Sequence, residues 1–180
     1  MDRRDILKKL ALATGGLMLS GIQLQAKTFL TVDQAKRALW GDIQLQSMPV
    51  RLTKDQVKSI KEISKVRVNY PDMRTWRTPD GGWFILDKVI GKHENIDCAV
   101  AITNQGKIKG IEILVYRESY GHQVRNPKWL AQFFGRNNSE HLKLDKQIKN
   151  ISGATLSCRH ITDAINRLTH TWDQVLRNVS

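Results

Sequence analysis

The chain has 180 residues, a length that suits one folded domain preceded by a short leader. It carries 29 lysines and arginines against 17 aspartates and glutamates, so its formal net charge is +12. Such a basic chain favours an acidic partner: an anionic lipid, an acidic redox protein or a nucleic acid. With only two cysteines, it lacks the residues for a cysteine-rich metal site.

Residues 1–26 have the layout of an export signal. The pair Arg3-Arg4 is followed by a weakly apolar stretch from Leu10 to Leu24, and Ala26 offers a small residue for cleavage. The apolar stretch is too short and too rich in glycine to span a bilayer well. The pattern resembles a twin-arginine signal, which predicts a periplasmic or other extracytoplasmic protein. Whether the leader is cleaved or kept as an anchor stays open.

Loss of the leader removes four basic and two acidic residues and leaves a net charge of +10. We therefore expect a basic docking face, suited to a membrane or periplasmic redox protein or to peripheral contact with an anionic membrane. Export argues against a nucleic acid as the partner. The alternative is that the charge is spread along helix faces and serves solubility.

Two helices are predicted after the leader. Thr31 is placed to cap a helix over residues 32–40, and Thr53 with Gln56 resembles a capping box that opens a helix reaching about Ser64. Both helices are expected to be packing elements.

Strand patterns follow over residues 66–70, 83–91, 96–103 and 107–118. The last two are joined by a hairpin turn at residues 104–106. In the last strand, Val115 is predicted to face the core and Tyr116 the wetter side. Pro127 then starts a short helix over residues 128–134, ended by Gly135, and a long helix is predicted from Ser157 to about Arg177. The order of elements predicts a single α+β domain, an antiparallel sheet flanked by helices.

The turn before the last helix combines small residues with hydroxyl groups. Gly153 and Ala154 keep side-chain bulk away, while Ser152, Thr155 and Ser157 offer three hydroxyls. The amide groups that open a helix have no intrahelical acceptor, so a phosphate can be held there. The sequence predicts an anion-binding turn with a nucleophilic hydroxyl at its centre.

The residues S-G-A-T in this turn resemble the flavinylation motif of the FMN-binding domain family, which includes the covalent-flavin subunits of sodium-pumping quinone reductases and Rnf complexes. In that family, FMN is joined through its phosphate to the motif threonine. The resemblance therefore implies an FMN phosphoester on Thr155, with Ser152, Gly153, Ala154 and Ser157 around the phosphate. It also implies a separate flavin transferase that uses FAD and a divalent metal, and no metal site in this chain.

A second stretch is similar to the E-T-P-G-L-G loop of the same family, which lies against the bound flavin. Glu118, Ser119 and Gly121 match that loop, while Tyr120 replaces its proline and Gln123 its second glycine. The resemblance implies that the three matching residues contact the cofactor. Without the resemblance, Glu118 is also typical of a solvated loop carboxylate, and Gly121 of a turn with positive φ.

Trp83 lies in the stretch that resembles the strand pair before this loop in small exported members of the family. Trp83 is predicted either to border a flavin ring or, as is more common, to be buried in the sheet.

Family members often have an acid three residues before the motif serine, where this chain has Lys149, with Asp145 further upstream. Flavin attachment at Thr155 is therefore expected to be slower or to use other contacts.

The two cysteines, Cys98 and Cys158, are compatible with a disulfide or with two unpaired, half-buried thiols. The sequence has no paired carboxylates, no Ser/His/Asp set and no glycine-rich dinucleotide loop, which argues against a hydrolase or an NAD dehydrogenase. We expect no catalytic residues of its own and no metal ligands.

The resulting hypothesis is an exported flavoprotein that passes electrons between a membrane redox component and an extracytoplasmic acceptor. Two alternatives remain: a flavin-dependent reductase with its own small substrate, and a scaffold module that has lost the cofactor. The expected organisation is a signal peptide over residues 1–26, a helical and strand segment over 27–80 packed on the core, and an FMN-binding domain over 81–180.

Overall fold

The structure, a computed structural model, describes residues 26–91, 93–117 and 120–179. The predicted signal peptide, apart from Ala26, lies outside the described residues, as do Glu118 and Ser119. No helix in the described ranges combines the length and the apolar character that crossing a bilayer requires.

An antiparallel sheet of seven strands forms the centre of the fold, as predicted. The strands are β1 (Lys27–Thr28), β2 (Gln46–Ser47), β3 (Val50–Arg51), β4 (Asp72–Arg77), β5 (Trp83–Ile90), β6 (Asn95–Ile102) and β7 (Ile108–Tyr116). Their order is β1-β7-β6-β5-β4-β2, and β3 also pairs with β4. Strands from the N-terminal segment thus extend both edges of the β4–β7 meander.

Four α-helices are described: α1 (Val32–Trp40), α2 (Lys54–Ser64), α3 (Pro127–Leu130) and α4 (Thr155–Gln174). Short 3₁₀ turns cover His122–Arg125, Ala131–Phe133 and Leu176–Asn178. Helices α1 and α2 begin with complete capping boxes at Thr31 and Thr53, which confirms both predicted starts. The last helix begins two residues earlier than Ser157.

The sheet has a separate apolar core on each face. On one face, α4 and α2 cover β5, β6 and β7 through residues such as Ile60, Ile165 and Leu168. On the other face, α1 lies over β6 and β7 through Ala35 and Leu39. Close approach of α1 is possible because Ala99, Ala101 and Gly110 lie beneath it in the sheet.

The predicted strand over residues 66–70 is wrong. That segment has no strand assignment, and the strand instead begins at Asp72, beyond Pro71. Asp72–Arg77 alternates exposed and buried positions, and it pairs with β2, β3 and β5. Backbone partners on both sides outweigh the higher strand propensity of the valine-rich segment before it.

The predicted facing of the end of β7 is also wrong. Tyr116 is buried and belongs to the core beneath α4, whereas Val115 is only partly buried on the opposite face. The register with β6 shifts between Asp97 and Cys98, which leaves Leu114 as an extra residue in β7. Because a bulge inverts the alternation beyond it, Tyr116 turns inward.

The two cysteines are free and fully buried. Burial raises the pKa of both thiols, most strongly that of Cys98. They are buried side chains of the core beneath α4, and no disulfide joins them.

Candidate functional site

The S-G-A-T turn is compact and partly open to solvent. The amide of Ala154 donates to the carbonyl of Ile151 at 3.0 Å, which closes the turn. Gly153 has a φ of +81° and no neighbouring atom within 4 Å of the position a Cβ would take. Ser152 and Gly153 are exposed while Ala154 is buried, so the turn is anchored at its end and accessible at its tip.

Thr155 is the first residue of the 20-residue helix α4. The N-cap residue, Ala154, has no side-chain oxygen, and no side chain in the described part of the chain caps this helix. The first amide to bond within the helix is that of Cys158, which donates to the carbonyl of Ala154 at 2.9 Å. Amide groups before it have no intrahelical acceptor, and the helix dipole adds positive potential there. This helix start favours an anion.

Asn150 holds the hydroxyl of Thr155. Its Nδ2 donates to Thr155 Oγ1 at 3.0 Å, and its Oδ1 accepts from the amide of Ile151 at 2.8 Å. The side chain of Thr155 is partly exposed. The hydroxyl is therefore both oriented and accessible.

Thr155 also lines a cavity of about 270 Å³ between α4 and the segment that precedes the turn. We call this cavity the Thr155 recess. Three basic side chains, those of His141, Lys143 and Arg159, line it, together with Asp145 and Asp163. The ion pairs formed among the described residues involve neither Lys143 nor Arg159. These two cations can therefore face an anionic ligand in the recess.

A buried amide holds one wall of the recess in place. Asn166 of α4 accepts from the backbone amide of Leu142 through Oδ1 at 2.9 Å. Its Nδ2 donates to the backbone carbonyl of Leu142, also at 2.9 Å. On the opposite wall, desolvation raises the pKa of Asp163, against the lowering effect of His160, His141 and Arg159.

The loop after β7 meets the start of α4. The hydroxyl of Tyr116 lies 2.8 Å from Ser157 Oγ and donates to the carbonyl of Tyr120 at 2.5 Å. A Cβ on Gly121, whose φ is +97°, would lie 2.4 Å from the Tyr116 hydroxyl and 2.6 Å from Ser157 Oγ. The two stretches singled out in the sequence therefore touch in the structure.

The structure thus places Ser152, Gly153, Ala154 and Thr155 in one turn, with Ser157 buried behind it beside Gly121. The other two loop residues expected at the cofactor lie outside the described ranges. Trp83 is only 1% exposed and packs in the core, so its ring is a buried element of the sheet.

Two contributors to the site were missed from the sequence. Asn150 lies two residues before the motif serine, but nothing in the spacing shows that its side-chain amide reaches Thr155, five residues along the chain. Tyr116 was assigned to the wetter face because the bulge in β7 is not visible in an alternating pattern. Among residues 26–91, 93–117 and 120–179, no group of three or more His, Cys, Asp or Glu residues is arranged to hold a metal ion.

Comparison with known proteins identifies the same segment. Residues 91–170 match the family model of the FMN-binding domain. The match contains both the loop at Gly121 and the S-G-A-T turn. No curated protein matches the chain at a significant level.

Proposed function

We propose that this chain, a member of the FMN-binding domain family, carries its FMN as a phosphoester on Thr155 and acts as an exported electron carrier. FMN is the cofactor that the family implies. The observation that carries it is the Thr155 hydroxyl, which is accessible at the uncapped start of a long helix and is held by Asn150.

The residues around Thr155 fit a phosphate monoanion or dianion. The first amides of α4 and the helix dipole supply hydrogen bonds and positive potential. Lys143 and Arg159 also line the Thr155 recess, where Asp145 and Asp163 offset their two positive charges. Gly153 leaves the tip of the turn open, because no atom lies within 4 Å of the position that a Cβ would take there.

FMN, when bound, supplies one- and two-electron transfer. The part played by the chain is to hold the phosphate, to set the polarity around the attachment point and to control access. A covalent tether suits an extracytoplasmic protein, because a lost cofactor could not easily be replaced there. Attachment would be made by a separate flavin transferase that uses FAD and a divalent metal.

The basic charge of the chain supports a role in electron transfer between partners. A net charge of +12 steers encounters with acidic redox proteins and anionic membrane surfaces. We propose that the electron donor is a membrane redox component and that the acceptor is extracytoplasmic, in line with the twin-arginine pattern of the leader.

Intact mass tests the attachment. The full chain is produced together with a flavin transferase, beside the variants Thr155→Ala and Ser47→Ala, and is measured after denaturation. Ser47 is an exposed hydroxyl residue of β2, outside the turn. The wild type and Ser47→Ala should carry an added FMN, and Thr155→Ala should carry none. Absence of the adduct from the wild type, or its presence in Thr155→Ala, contradicts the proposal.

A further inference from the structure

We propose that Asn150 is a positioning residue for flavin attachment: its amide orients the Thr155 hydroxyl and stabilises the oxygen as the new bond forms. This inference rests on the proposed attachment at Thr155. Asn150 lies outside the S-G-A-T tetrapeptide, and its role follows from the contacts of its two amide ends.

Both ends of the Asn150 amide are engaged. Its Oδ1 accepts from the amide of Ile151 at 2.8 Å, and its Nδ2 donates to Thr155 Oγ1 at 3.0 Å. If the side-chain amide of Asn150 were rotated by 180°, its NH₂ group would face the backbone N–H of Ile151, and two hydrogen-bond donors would oppose each other. The Ile151 contact therefore fixes which end faces the threonine, and Asn150 must donate to Oγ1.

Other threonines of the same helix use their hydroxyls differently. Thr162, Thr169 and Thr171 each donate the hydroxyl proton to a helix carbonyl three or four residues earlier, at 2.8 to 3.0 Å. Such a bond ties up the proton inside the helix. The carbonyl four residues before Thr155, that of Ile151, already accepts from Ala154. In the described structure, the Thr155 hydroxyl is an acceptor, so its proton and second lone pair remain available.

The backbone of Lys149, the residue before Asn150, is held by α3 and by the 3₁₀ turn that follows it. The carbonyl of Lys149 accepts from Trp129 Nε1 at 2.7 Å, and the amide of Lys149 donates to Gln132 Oε1, also at 2.7 Å. Trp129 is buried. The exposed side chain of Lys149 occupies the position where the family often has an acid, but its backbone anchors the residue that reaches the hydroxyl.

The attachment step shows what the amide contributes. The bond between Thr155 Oγ1 and the FMN phosphorus forms, the phosphoanhydride bond of FAD breaks, and AMP leaves. The hydroxyl proton passes to a base of the transferase. As Oγ1 loses its proton, the Nδ2–H group of Asn150 stabilises the negative charge that develops on the oxygen.

Attachment kinetics test this role in the full chain, with purified flavin transferase, FAD and Mg²⁺. Asn150→Ala removes both contacts, whereas Asn150→Asp keeps an acceptor for Ile151 and replaces the donor with a second acceptor. The rate at saturating chain concentration should fall roughly tenfold or more in both variants, with little change in KM for the chain. Asn104→Ala is the control, because it removes an Asn Nδ2 bond of 2.8 Å to Asp80 outside the turn. That variant should react at the wild-type rate.

A second measurement does not depend on the transferase. In the FMN-free chain, three-bond NMR couplings to the Thr155 methyl carbon report its χ1 rotamer. We expect one rotamer in the wild type and in Asn104→Ala, and averaged couplings in Asn150→Ala.

The outcomes separate the two proposals. If the wild type gains no adduct, the proposed attachment fails, whereas the rotamer measurement still tests the contact. If the wild type gains the adduct while Asn150→Asp reacts equally fast, or if Thr155 keeps one rotamer in Asn150→Ala, the positioning role of Asn150 is overturned. A fall in rate that appears only as a higher KM also overturns it, because that result indicates loss of docking.

Discussion

The hydroxyl of Tyr116 lies 2.8 Å from the Oγ of Ser157, although 41 positions separate the two residues. Tyr116 ends β7, and Ser157 lies in the first turn of α4. Because the same hydroxyl also donates to the carbonyl of Tyr120, it joins the strand, the loop after it and the helix that begins at Thr155. This contact brings the two flavin-family stretches together.

Removal of that hydroxyl should destabilise the fold. In Tyr116→Phe, the carbonyl of Tyr120 loses its donor and Ser157 loses a buried partner, so the free energy of unfolding should fall by about 1–3 kcal/mol. Urea denaturation measures the change. Tyr70→Phe is the control: Tyr70 is 43% exposed, and its ring contacts Lys88, so no comparable loss is expected. Equal stability of the two variants would show that the contact contributes nothing.

The tight fit at Gly121 should make an alanine there costly. A Cβ would lie within 2.6 Å of the Tyr116 hydroxyl and of Ser157 Oγ, and φ is +97°. We expect Gly121→Ala to lower the free energy of unfolding by about 2–4 kcal/mol, from backbone strain and displaced neighbours. Gly135→Ala has a similar φ of +76° but nothing within 4 Å, so it should lose only the strain, about 1–2 kcal/mol. Thermal melts of both variants give the comparison, and matching losses would argue against the close contact.

Arg167 of α4 and Asp87 of β5 form a buried ion pair, so replacement of one partner alone should lower the free energy of unfolding strongly. Their side chains are 11% and 10% exposed. Arg167→Met leaves the Asp87 carboxylate buried without its partner, which should cost about 3–5 kcal/mol in denaturant titration. The matched change Arg51→Met breaks the pair with Asp72, whose side chains are 82% and 71% exposed, and should cost about 0–1 kcal/mol. A small loss for Arg167→Met would mean that water reaches Asp87.

The carboxyl of Asp163 predicts a dependence of stability on pH. Desolvation raises its pKa from the ordinary value of 3.8 in the folded chain. Between the ordinary and the raised value the folded state binds more protons than the unfolded state, so stability from this group is lost as pH rises through the folded pKa. Asp163→Asn should therefore be more stable than the wild type at pH 7.

The increase in the free energy of unfolding from Asp163→Asn should disappear near pH 3, because the wild-type Asp163 carboxyl is then protonated in both the folded and the unfolded chain. Urea titrations at a series of pH values follow this difference. Asp42→Asn removes the same charge at an exposed turn and should show no such trend. A gain for Asp163→Asn that is constant across the pH range would point to packing instead of ionisation.

Local signals in the sequence were enough to place most elements. The capping boxes at Thr31 and Thr53 and the hairpin turn before β7 each depend on residues a few positions apart, so they can be predicted without the rest of the chain. The same holds for Gly135, which has a positive φ just after the 3₁₀ turn Ala131–Phe133. The α+β class and the antiparallel sheet followed from the order of these elements. The S-G-A-T turn and the resemblance to the FMN-binding domain family could also be read from the sequence, because the motif consists of four consecutive residues.

Only the tertiary structure decided which residues meet. Strand β4 forms beyond Pro71 because β5 and β2 offer backbone partners there, and a bulge turns Tyr116 into the core. The contacts of Ser157 with Tyr116 and of Leu142 with Asn166 join residues 41 and 24 positions apart. Hydrogen bonds of this range depend on how the sheet and α4 pack, and a spacing in the sequence carries no record of that geometry.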